Sequence, residues 1–160
     1  MKELQIVSSI RVYEYEELSA DLRELVDEAK RMVFNSYSPY SNFKVGAAAR
    51  LSDGSIQLGS NQENAAYPSG LCAERTALFA AGALHPDLAI TALAIAAYTE
   101  GDYTEIPTAP CGACRQVMLE SENRGGQPMK ILLYGKKCVY VLDSVDQLMP
   151  LTFLPDDLKG

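Results

Sequence analysis

Cys72, Cys111, Cys114 and Glu74 have the residue types and spacing for chemistry at a metal ion. Cys111 and Cys114 belong to the run Pro110-Cys111-Gly112-Ala113-Cys114. Two cysteines three apart at a helix start point the same way within one turn, so both thiolates reach one ion. Cys72 opens a second expected helix. Helix N-termini carry partial positive charge, which favours thiolate over thiol. Three protein ligands leave one tetrahedral position for water, the mark of a catalytic rather than a structural zinc. Glu74, two residues beyond Cys72, stands where a carboxylate would move protons without binding the ion. A lone C-x-x-C also serves structural zinc or redox work. A redox pair leaves Cys72-Ala73-Glu74 unexplained, and a structural site wants a fourth Cys or His. Cys138 lies in an apolar run and reads as core; His85, the single histidine, precedes a proline and reads as surface.

The elements that must hold these residues follow from hydrophobic periodicity. Leu18, Leu22, Leu25, Val26, Ala29, Met32 and Val33 share one face of a helix over 18–37, with Ser19 as a candidate cap, and Ser38-Pro39 stops it. The runs 45–51 and 55–60 flank Ser52-Asp53-Gly54 as a hairpin. A polar loop over 61–71 leads to a helix from Cys72 to Leu84. Residues 88–98 are apolar throughout, the pattern of a strand covered on both faces. A proline-bearing loop precedes a helix from Cys111 to Asn123, and 131–135 and 138–142 read as strands. A strand over 4–13 is also expected, as is a helical turn near 145–149. Strands alternating with helices predict a three-layer α/β/α domain around a mixed sheet of about five strands.

The length of 160 residues fits a single domain over 1–160, with an N-terminal extension at 1–15 and a core at 16–158. The formal net charge of -7 repels a polyanion, which argues against nucleic acid as a partner. The start has no signal-peptide pattern and no run is long enough to cross a bilayer, so no membrane association is expected. The expected compartment is the cytoplasm, where cysteines stay reduced as ligands or core residues.

Several further segments are similar to one family, the small homotetrameric cytidine deaminases of the three-cysteine zinc type. They are Tyr40-Ser41-Asn42-Phe43-Lys44-Val45-Gly46-Ala47-Ala48, Asn61-Gln62-Glu63-Asn64, and Tyr67-Pro68 through Cys72-Ala73-Glu74-Arg75-Thr76-Ala77. Pro110-Cys111 through Arg115-Gln116-Val117 and Leu148-Met149-Pro150-Leu151-Thr152-Phe153 complete the set, in family order. The resemblance implies a cytidine-deaminase-like fold, one zinc per chain on Cys72, Cys111 and Cys114, and Glu74 as acid and base. It implies hydrolysis of cytidine and 2′-deoxycytidine, with release of ammonia, in pyrimidine salvage. It places Phe43 by the base or ribose, Asn61 and Glu63 on the ribose 3′-hydroxyl, and the Ala73 backbone on the pyrimidine. It assigns Tyr67 and Phe153 to a neighbouring subunit's nucleoside, so that the sites of a homotetramer are shared. It gives Arg75 the task of balancing the charge of the thiolates. On residue type alone, Phe43, Tyr67 and Phe153 read rather as core or interface aromatics, and Asn61 and Glu63 read also as loop formers. The chain departs from the family at Lys44, often proline there; at Ala109, commonly Ser or Thr; and in the longer, polar stretch 120–129.

Two rival functions are a deaminase acting on a nucleotide, a nucleic acid or an antibiotic nucleoside, and a non-catalytic zinc module. Glu63 would repel a phosphate on the 3′-oxygen, and Glu74 with three ligands argues against a purely structural site.

Overall fold

The computed structural model describes residues 1–158; Lys159 and Gly160 of the expected domain lie outside the described residues. Its strands are β1 (Arg11–Tyr13), β2 (Lys44–Leu51), β3 (Ile56–Ser60), β4 (Ile90–Thr99), β5 (Asp102–Tyr103), β6 (Lys130–Tyr134) and β7 (Val139–Leu142). Its helices are α1 (Ala20–Met32), α2 (Ala73–Leu84) and α3 (Gly112–Gly125). The strands form one mixed sheet in the order β1-β7-β6-β4-β2-β3, with β5 beside β4. The sheet thus has seven strands rather than about five. The addition the sequence does not signal is β5, whose two residues are too few to show a period. The strand expected over 4–13 shortens to Arg11–Tyr13, because among the described residues its one partner, β7, is four residues long and pairs with just those three. Ser19 does occupy the N-cap of α1, but its side chain makes no capping bond to the helix. The α-helix ends at Met32, and a 3₁₀ turn at Val33–Asn35 completes the expected stretch.

The layers follow from the pleat. In β4, Ala92, Ala94 and Ala96 face α1 and pack with Leu25, Val26, Ala29 and Val33. Leu93 and Ile95 face the other way, against α2 and α3, with Ala77, Leu78, Met118 and Leu119. The small side chains on the first face let α1 lie close to the sheet. At Gly46 a Cβ would stand 2.0 Å from the Ala29 carbonyl oxygen.

Strand direction brings the chemistry together. Both β3 and β4 pair antiparallel with β2, so they run the same way, and Gly46 pairs with Ser60 on one side and Ala96 on the other. The chain therefore leaves β3 and β4 at the same end of the sheet's strands, and α2 and α3 both begin beyond that end. Gly59 seats the first of these helices: a Cβ there would lie 2.5 Å from the Ala77 nitrogen and 2.6 Å from the Ala73 oxygen. These obstacles are backbone, so Gly59→Ala must push α2 off the sheet. We predict a loss of ~1–3 kcal/mol in stability from this overpacking, read by urea denaturation. A variant within ~0.5 kcal/mol of wild type, the range of ordinary surface changes, would contradict the close seating of α2.

Candidate active site

Cys72 and Cys111 occupy the N-cap positions of α2 and α3, with extended backbone and no capping bond from either side chain. Cys114 follows in the first turn of α3 and is buried. The three Sγ atoms lie within 4.8 Å of one another, and Cys72 Sγ to Cys111 Sγ is 4.0 Å. Thiolates around a tetrahedral zinc at about 2.3 Å sit roughly 3.8 Å apart. The trio therefore fits zinc in donor chemistry and in spacing. All four cysteines are free, and Cys138 stands apart, half-buried before β7.

The charge around the trio is arranged for thiolate. Hydrogen bonding from Cys114, with Arg75 and Cys111 also contributing, brings the Cys72 thiol down to about 5 against the opposing effect of burial. The same contact with Cys72, together with burial, pushes the Cys114 thiol up. Arg75 Nη2 lies 3.7 Å from Cys72 Sγ, while its Nε is buried without a hydrogen-bond partner among the described residues. Glu74 is 4% exposed in the first turn of α2. Burial, and then the charge of Cys72, push its carboxyl above the usual range.

A cleft of about 520 Å³ opens beside Cys72 and Arg75, lined also by Ser41, Asn61, Glu63 and Tyr67. Phe43, Glu74 and Phe153 are outside its lining. The Asn61 side chain is already engaged within the chain. Its Oδ1 accepts from Ser36 Oγ at 2.5 Å and from the Val45 nitrogen at 2.8 Å, and its Nδ2 donates to the Phe43 carbonyl at 2.8 Å. Two backbone partners of opposite type fix the amide orientation. Both carbonyl lone pairs are filled, and one N–H remains for a ligand. Glu63 accepts from Ser41 Oγ at 2.5 Å on Oε1, and from the nitrogens of Tyr40 and Ser41 at 2.9 and 3.3 Å on Oε2. A carboxylate has about four acceptor sites, so about one is left, on Oε1. The Ser41 hydroxyl, with those two N–H groups, holds the Glu63 carboxyl below the usual range.

Ala73 is buried as the first residue of α2, where a backbone N–H has no partner within the helix. Tyr67 is 74% and Phe153 56% exposed, so neither is a core aromatic. Tyr40 packs edge-on against Tyr67 with ring centroids 5.8 Å apart. Residue type alone did not mark Ser41, Arg115 or Gln116 for a role. Arg115 donates to the carbonyls of Pro110 and Leu148 at 2.9 and 2.8 Å, and Gln116 donates to that of Phe153 at 3.1 Å. These bonds tie the chain before Cys111 and the C-terminal segment to α3. Leu148 and Phe153 are distant in sequence, so no local pattern reveals these two bonds.

The family model for the cytidine and deoxycytidylate deaminase zinc-binding region matches residues 19–125. The chain is 42% identical over 139 residues to the cytidine deaminase of Sporosarcina psychrophila, covering 87% of this chain and 96% of that protein. It is similar to the crystal structure of cytidine deaminase from Burkholderia pseudomallei, with a TM-score of 0.68 at 42% identity, covering 81% of this chain and 97% of that one. The cytidine deaminase structure from Mycobacterium tuberculosis gives 0.67 at 32% identity, covering 85% and 99%.

Proposed function

The chain belongs to the cytidine and deoxycytidylate deaminase family, and on that premise we propose that it hydrolyses free cytidine and 2′-deoxycytidine to uridine and 2′-deoxyuridine, releasing ammonia, as a step of pyrimidine salvage. One observation carries the reading: a carboxylic acid, Glu74, buried beside a trio of thiols that fits zinc, with Cys72 of that trio lining a cleft. In this reading Cys72, Cys111 and Cys114 are the ligands. Zinc bound there supplies a water acidic enough to act as a nucleophile near neutral pH. Glu74 takes a proton from the attacking water and delivers it to ring nitrogen 3 as the oxygen adds to carbon 4. It then carries the second proton to the amino group, which departs as ammonia. Arg75 offsets the formal -1 charge of zinc with three thiolates. The Ala73 N–H and Phe43 hold the pyrimidine and ribose.

The remaining capacity of Asn61 and Glu63 supports a free nucleoside. Together they offer a ligand about one donor and one acceptor, which matches a hydroxyl, itself both donor and acceptor. A 3′-phosphate has no proton to give and would meet the Glu63 charge. The exposed aromatics Tyr67 and Phe153 support a homotetramer in which each completes a neighbour's site. The single domain over 1–160 and a cytoplasmic location, with its four free thiols, belong to the same reading. Among the described residues no helix is long and apolar enough to cross a membrane.

The test is kcat/KM across 3′-substituents, with the mass in solution measured by light scattering. Cytidine and deoxycytidine are expected to be comparable, and 3′-deoxycytidine weaker by ~10-fold or more, since it leaves a donor and an acceptor unpaired. Cytidine 3′-phosphate and single-stranded DNA are expected to be rejected. Turnover of an oligonucleotide at the rate of cytidine would sink the free-nucleoside reading, and a monomer that is fully active would sink the shared sites.

A further inference from the structure

Three hydrogen bonds from the segment Tyr40–Phe43 hold the Glu63 carboxylate. Ser41 donates two of these and accepts one bond of its own. Its hydroxyl donates to Glu63 Oε1 at 2.5 Å, its own nitrogen reaches Oε2 at 3.3 Å, and its Oγ accepts from the Phe43 nitrogen at 3.0 Å. The hydroxyl thus sits between the residue proposed to read the ribose and the residue proposed to flank it. From this geometry we infer that Ser41 is a positioning residue that sets 3′-hydroxyl specificity, by turning Glu63 and leaving its single open acceptor site toward the cleft. The inference rests on the nucleoside reading above.

The physical case is one of counting and direction. Without the Ser41 hydroxyl, Oε1 has two open sites rather than about one, and the carboxylate loses the one side-chain restraint it has among the described residues. The backbone donors of Tyr40 and Ser41 both grip Oε2, so the other oxygen can swing about that end. Water can then occupy the second site, and the advantage of a substrate hydroxyl shrinks. Asn61 does not compensate, because its orientation is fixed by the Phe43 carbonyl and the Val45 nitrogen, not by the Ser41 hydroxyl. The specificity effect should therefore sit on Ser41 rather than spread across the loop.

The experiment compares wild type, Ser41→Ala and Ser41→Thr on cytidine and 3′-deoxycytidine. In Ser41→Ala, kcat/KM is expected to fall about tenfold more for cytidine than for 3′-deoxycytidine, the scale of one charged hydrogen bond. The loss should appear mainly in KM, because the contact is remote from carbon 4. Ser41→Thr keeps the hydroxyl and should recover most of the discrimination. An equal fall on both substrates in Ser41→Ala, or no fall on either, would overturn the inference, since a merely structural loop residue acts on both alike. Discrimination that is lost in Ser41→Ala and not recovered in Ser41→Thr would also overturn it. Absence of discrimination in wild type, with cytidine still turned over, would overturn it through the placement of Asn61 and Glu63. Absence of cytidine turnover in wild type would instead refute the proposed function itself.

Discussion

Glu74→Gln is expected to keep zinc and bind nucleoside while losing at least ~100-fold in turnover, the scale of a general acid and base. Glutamine preserves volume and hydrogen bonding but neither accepts nor delivers the two protons that the reaction moves. The position allows a clean test. Glu74 is 4% exposed and is not among the proposed thiol ligands, so the change alters neither the surface nor that donor set. Stability should move the opposite way from activity. In the zinc-free protein, burial raises the Glu74 pKa above its unfolded value. Between those two values the folded state binds more protons than the unfolded state, so stability falls as pH rises through that window. Glutamine cannot ionise, and its variant should escape this loss and show a flatter stability profile there. Turnover, zinc content and pH-dependent unfolding are the three measurements. Turnover within a few-fold of wild type would show that another group carries the protons.

The thiol trio was legible because its spacing is local: two cysteines within one turn, and a third at another helix start. What spacing does not state is that both helices begin at one end of the sheet's strands. That depends on β3 and β4 both pairing with β2, a fact of tertiary topology. The apolar run of β4 announced a strand covered on both faces, but not which face takes the alanines. Asn61 and Glu63 were placed on the ribose by resemblance alone. Their remaining capacity emerges only from partners 16 to 25 residues away, such as Val45 and Ser36 for Asn61 and Ser41 for Glu63. The N-terminal strand was overread, because alternation in 4–13 says nothing of how long the partner strand is. Periodicity reports a residue's own element, and hydrogen-bond saturation reports the fold around it.

Cys111→Ala should abolish zinc binding and turnover together while leaving the chain folded. Among the three proposed ligands, Cys111 is the one whose removal isolates the metal. It is exposed, so no core cavity opens, whereas Cys114 is fully buried. It caps α3 by position but makes no capping bond, so alanine removes no hydrogen bond from the helix start. Outer-shell changes at metal sites typically cost 10–100-fold in affinity, and loss of a ligand should exceed ~100-fold. The fold should persist because α2 and α3 are held by their own core, including Ala77, Leu78, Met118 and Leu119 against Leu93 and Ile95. The variant should therefore still unfold cooperatively. It should lack the added stability that zinc gives wild type, ~2.7 kcal/mol when free zinc is 100 times its dissociation constant. A structural zinc module predicts the reverse, unfolding on loss of the ion. Chelator competition, turnover and thermal unfolding in the presence and absence of zinc separate the two. Stoichiometric zinc with normal turnover in Cys111→Ala would refute the ligand assignment, and collapse of the fold on zinc removal would point to the structural alternative.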